Sequence, residues 1–84
     1  MRTSQALLLK YFYDPRYSFE RVRVCYIDRG APGDCSCVTG GQVVHLDAYY
    51  FERESPHGTT AIPYHRITTI LYEGEAVWTR GKNP

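Results

Sequence analysis

Residues 19–28, Phe19-Glu20-Arg21-Val22-Arg23-Val24-Cys25-Tyr26-Ile27-Asp28, decide the fold. Val22, Val24 and Tyr26 fall on one side of an extended chain, and Arg21, Arg23, Cys25 and Ile27 fall on the other. That period of two, with β-branched residues on the apolar side, specifies a strand with one buried face. Arg29-Gly30-Ala31-Pro32-Gly33-Asp34 follows as a turn-forming loop, in which Gly supplies unusual backbone angles, Pro fixes one, and Asp bonds its own backbone. Residues 35–39 then read as a short strand broken by Gly40-Gly41. Residues 42–54, rich in Val, Tyr and Phe, read as one strand kinked near Asp47-Ala48, with Tyr49, Tyr50 and Phe51 alternating between core and surface.

Beyond these lie a turn at Ser55-Pro56-His57-Gly58, an extended segment at 61–64, and two strands, 65–72 and 75–80, joined at Glu73-Gly74 as a β-hairpin. On the N-terminal side, Thr3 or Ser4 caps a helix over residues 5–12, and Asp14-Pro15 stops it, because proline disfavours helical geometry in the residue before it. Leu8, Phe12 and one of Tyr11 or Leu9 form its expected buried stripe. The expected class is α+β: an N-terminal helix packed on a strongly twisted, mostly antiparallel sheet of about five strands. Residues 1–84 are expected to be a single domain with a frayed tail at 81–84.

Hydrophobic residues make up 43% of the chain and charged residues 23%, which is the composition of a folded protein. The formal net charge of +1 is too small for a protein that grips long nucleic acid by its backbone. The charge is unevenly placed. Residues 1–29 hold six bases against three acids, whereas residues 34–54 hold four acids against Arg53. Arginine, suited to forked contact with a single phosphate, dominates the bases. No apolar run is long enough for a membrane span and no signal-peptide stretch opens the chain, so a cytoplasmic location is expected. Cys25, Cys35 and Cys37 make an odd count without a secretory signal, so free thiols are expected. Cys35-Ser36-Cys37, even with His45 or His57, lacks the spacing of a zinc site, and no base is placed beside a cysteine for nucleophilic chemistry. No metal and no cofactor are expected.

Three stretches carry polar chemistry. The loop from Arg29 through Gly30 to Asp34 lets an anion approach backbone N–H groups beside a guanidinium, and read blandly it is a hairpin loop with Asp34 bonding its own turn. Ile62-Pro63-Tyr64-His65-Arg66-Ile67 stiffens the chain before a His-Arg pair. If the pair lies on a strand, the two side chains face opposite ways; the bland reading gives His65 a structural bond and leaves Arg66 solvated. Val77-Trp78-Thr79-Arg80 sets an indole and a guanidinium on one face, able either to stack a base and clasp its phosphate or to anchor a small core.

Together these stretches resemble one family over roughly residues 5–80: a helix ending in Asp-Pro-Arg, a strand into Tyr-Ile-Asp-Arg-Gly-Ala-Pro-Gly-Asp, then Ile-Pro-Tyr-His-Arg-Ile, then a glycine turn into Val-Trp-Thr-Arg. The pattern resembles the RNA cyclic group end recognition domain. The resemblance implies a non-catalytic module for RNA 3′ ends bearing a cyclic phosphate, working beside RNA-processing and repair enzymes. Carried over, the matching positions are Arg29, Asp34, His65, Arg66, Trp78 and Arg80, with Gly30 in the same loop. A cyclic phosphate is one anion at the end of a flexible strand, which agrees with a small net charge. Two other readings stand beside it. One is a phosphodiesterase pairing His65 with His45 or His57, since such chemistry usually needs an acid and a base together. The other is a protein-interaction or scaffold domain using the tyrosine-rich surface.

Overall fold

The computed structural model describes residues 3–80. The helix α1, Ser4–Tyr13, starts where Thr3 accepts a hydrogen bond from the Ala6 N–H, and ends at Asp14, whose N–H reaches the Lys10 carbonyl. Seven strands follow: β1 (Val22–Ile27), β2 (Cys35–Thr39), β3 (Val43–Leu46), β4 (Tyr50–Ser55), β5 (Gly58–Pro63), β6 (Ile67–Tyr72) and β7 (Glu75–Thr79). They form two antiparallel sheets, one of four strands in the order β2-β1-β6-β7 and one of three in the order β3-β4-β5. The α+β class is as expected, but two sheets replace the single sheet of about five strands.

The extra strands arise where residues 42–54 were expected to run as one. The chain reverses at Asp47-Ala48-Tyr49 without glycine or proline. Asp47 Oδ1 accepts from the Ala48 N–H at 2.6 Å, and the Asp47 N–H donates to the Tyr50 carbonyl at 2.8 Å. Distant groups pin the same corner: Tyr64 Oη and Gln5 Nε2 both donate to the Asp47 carbonyl, at 2.7 and 3.3 Å. A turn built on such long-range bonds leaves little local signature.

One core joins the helix to the inner faces of both sheets. Val22, Val24, Val38, Ile67 and Ile70 come from the four-stranded sheet, Phe51 and Ile62 from the three-stranded one, and Leu7, Leu8 and Tyr11 from α1. The β1 alternation holds as read, with Val22, Val24 and Tyr26 buried. On the helix the stripe shifts: Leu7 and Tyr11 are buried with Leu8, while Phe12 is 48% exposed. Tyr11 stacks on Tyr72 at 4.9 Å and meets the Tyr17 edge at 4.6 Å, which turns that side of the helix inward. Phe12 meets Phe19 and Tyr13 edge-on.

The expectation of free thiols is corrected. The β1–β2 register sets Cys25 opposite Cys37, and the two form a disulfide. An antiparallel pair brings opposed Cβ atoms within bridging distance whatever their separation along the chain. Cys35 is free and exposed. Among the described residues, no group of three or more His, Cys, Asp or Glu could hold a metal, and no helix is long and apolar enough to cross a membrane. The expected frayed tail, 81–84, lies outside the described residues.

Candidate functional site

The strand register gathers Arg29, Arg66 and Arg80, with His65, at one end of the four-stranded sheet. β1 runs from Val22 to Ile27, and the loop bearing Arg29 follows it directly. β6 is antiparallel to β1 and pairs Ile67 with Tyr26, so its start lies at the same end. The turn holding His65 and Arg66 immediately precedes that start. β7 returns antiparallel to β6, pairing Thr79 with Thr69, and the Arg80 N–H donates to the Thr68 carbonyl at 2.8 Å. Arg29, Arg66 and Arg80 therefore belong to the same rim, each just outside the end of one of three strands, β1, β6 and β7, that are neighbours in the sheet.

The loop after β1 is braced by its own polar groups. Asp34 Oδ1 accepts from the Gly30 N–H at 3.2 Å, its carbonyl accepts from the Asp28 N–H at 2.9 Å, and its own N–H donates to the Ala31 carbonyl at 2.8 Å. Asp28 in turn accepts from Ser36 Oγ at 2.6 Å. Gly30 and Gly33 have φ of +95° and +71°, the left-handed region that glycine enters without a Cβ clash. Asp34 and Gly30 thus shape the loop, as in the bland reading, and Arg29 is left exposed at its tip.

His65 and Arg66 do not lie on a strand. They form a 3₁₀ turn with Tyr64 between β5 and β6, and both are exposed, so the expected opposition of their side chains across a sheet does not arise. Tyr64 anchors the turn. It is buried, its N–H donates to the Tyr49 carbonyl at 3.2 Å, and its hydroxyl bonds the Asp47 carbonyl. Burial, with the Asp47 charge nearby, pushes that hydroxyl up to about 12, so it stays a donor at any ordinary pH. Trp78 pairs with Ile70 and packs half-buried against the core, which favours its anchoring role over that of a freely presented stacking plane.

The arginines among the described residues divide into two sets. Arg16 pairs with Asp14, Arg21 with Glu73, and Arg53 with Tyr26 and the Glu54 carbonyl. Arg23, Arg29, Arg66 and Arg80 are exposed and form no ion pair among the described residues. Asp28 and Asp34 are the carboxylates flanking the Arg29 loop, and both accept hydrogen bonds, Asp34 from the Gly30 N–H in the loop and Asp28 from Ser36 on β2. Sequence reasoning did not single out Arg23. Its signal was available, since it is a base on the polar side of the β1 alternation.

The histidines are not brought together. His57 precedes β5 and His65 follows it, so the six-residue strand holds them roughly 20 Å apart. His45 lies on β3, separated from β5 by β4, and sits 3.6 Å from Asp47.

The sequence and its fold thus describe a small α+β protein with an arginine-bearing rim on an antiparallel sheet. The chain belongs to the MJ1316 RNA cyclic group end recognition domain family, whose model matches residues 1–80. It is 37% identical over 71 residues to a UPF0248 protein of Archaeoglobus fulgidus, covering 84% of this chain and 96% of that one. No solved structure matches the chain.

Proposed function

We propose that this protein is a non-catalytic module that binds RNA 3′ ends and holds a terminal 2′,3′-cyclic phosphate at the rim of its four-stranded sheet. Arg29, Arg66 and Arg80 supply the guanidinium forks, His65 a further donor, and the open part of the Trp78 ring a surface for the terminal base. Gly30 and Asp34 hold the loop in shape. The observation that supports this reading most is the convergence, by register alone, of three arginines from distant parts of the chain that form no ion pair among the described residues. The family description, RNA cyclic group end recognition, agrees with it. Three cations at one rim suit a single anion, and they do not need the long basic stripe that the net charge of +1 denies. The proposed setting is cytoplasmic, beside enzymes of RNA processing and repair. The separation of His57 from His65 favours binding without chemistry, because acid and base must both reach the reacting group.

The test is a titration of short labelled RNAs ending in a 2′,3′-cyclic phosphate or in a 3′-hydroxyl. The cyclic end is expected to bind more tightly, and Arg66→Ala to weaken it by about tenfold or more, the range for losing a charge-assisted hydrogen bond. Equal affinity for the two ends overturns the reading.

A further inference from the structure

The four-stranded sheet has two unlike faces. Val24, Val38 and Ile70 are cross-strand neighbours, and all three are buried under α1 and the second sheet. The alternate rows, Arg23 with Thr39 and Leu71, then Cys25 with Cys37 and Thr69, point the other way, where Arg23 and Cys37 are exposed and the rest half-buried. Ile27 and Cys35 continue this face toward the arginine rim. None of these open-face residues carries a carboxylate. The outer face of the three-stranded sheet differs. Phe51 and Arg53 point inward there, which leaves Glu52 and Glu54 outside, with His45 opposite Glu52.

At the end of the open face away from the rim lies a cavity of about 320 Å³, lined by Glu20, Arg21, Arg23, Thr39, Leu71 and Gly74 among others, so that one carboxylate stands beside its two guanidinium groups. Arg21 is held by Glu73, whereas Arg23 forms no ion pair among the described residues. β1 connects the two places: Arg23 stands near its start and Arg29 just past its end, at most roughly 20 Å apart at the rise of a strand.

We propose that the open face is the track for the single-stranded RNA leading to the bound terminus, with Arg23 in the far cavity seating one upstream backbone phosphate. This rests on the end-binding reading above. The acidic outer face of the three-stranded sheet repels an RNA strand anchored at the rim. The open face offers neutral Thr and Cys and apolar Ile27 and Leu71 for bases, and then a cation. One upstream contact adds affinity without a long basic groove, and it makes the module favour an unpaired tail over an isolated nucleotide.

The experiment titrates the full chain with a dinucleotide and an octanucleotide, each ending in a cyclic phosphate. The octanucleotide is expected to bind about tenfold more tightly, the worth of one charge-assisted contact. Arg23→Ala is expected to remove that gain and leave the dinucleotide affinity unchanged, and Thr69→Glu, which sets a carboxylate mid-track, to do the same. Arg16→Ala removes a charge elsewhere and is expected to preserve the gain. Equal affinity for the two lengths, or a gain that survives in both track variants, overturns the proposal. If octanucleotides with cyclic and hydroxyl ends bind equally but still depend on Arg23, the end reading fails while the track stands.

Discussion

Arg53 donates from Nη1 to the hydroxyl of Tyr26 at 2.9 Å, and this bond ties the second strand of the three-stranded sheet to the first strand of the four-stranded one. Arg53 is the base of an otherwise acidic stretch, and β4 turns it inward while Glu52 and Glu54 face out. The two sheets therefore differ in surface charge more than composition shows. Tyr26→Phe keeps the buried ring and its edge contact with Phe51 at 6.2 Å, and removes only the acceptor. The variant is expected to lose about 1.5–3 kcal/mol, the scale for a hydrogen bond to a charged group, read as a lower urea midpoint at unchanged slope.

The arginine at the end of the helix makes a pH prediction. The Arg16 guanidinium, helped by its backbone N–H, holds the Asp14 carboxyl at about 2 against an ordinary 3.8. A carboxyl lowered on folding adds stability that is whole above its unfolded value and is lost as pH falls through the folded one. The Asp14–Arg16 contribution is thus expected to be constant above about pH 4 and to vanish toward pH 2. A carboxyl-carbon NMR titration checks it. Arg16→Ala is expected to raise Asp14 only part of the way to 3.8, because the backbone N–H at position 16 still donates.

The cysteines predict a thiol count. One of the three, Cys35, is expected to react with a thiol reagent in the native protein, and all three after reduction and unfolding. The Cys25–Cys37 bridge closes a short loop, with a sequence separation of 12, so reduction is expected to cost about 3 kcal/mol on the chain-entropy scale. Denaturation with and without reductant measures it. An unchanged midpoint contradicts the bridge.

Gly40 predicts a steric effect. It is buried, and a Cβ there would overlap the Phe19 carbonyl, where the 3₁₀ turn Phe19–Arg21 meets the turn Gly40–Gln42. Since the obstacle is backbone, Gly40→Ala is expected to cost about 3 kcal/mol or more, whereas Gly41→Ala, with only a Thr39 contact at 3.9 Å, is expected to be nearly neutral. Thermal unfolding of the two variants makes the comparison.

Local patterns read from the sequence alone survive folding wherever a short stretch contains its own cause. Thr3 and Pro15 bound the helix, the Val22-Val24-Tyr26 alternation sets the buried face of β1, and Gly74 turns the β6–β7 hairpin. The candidate residues Arg29, His65, Arg66 and Arg80 were also legible as residue types beside turns. What their sequence could not state was adjacency. Arg29 and Arg66 share a rim because β1 pairs with β6 more than forty residues later, a choice made by which apolar faces close one core. The Cys25–Cys37 pairing follows from register, the Asp47 corner from bonds to Gln5 and Tyr64, and the inward turn of Tyr11 from Tyr72. Each depends on a partner far along the chain. Periodicity determines which face of an element is apolar, and only packing determines which other face it meets.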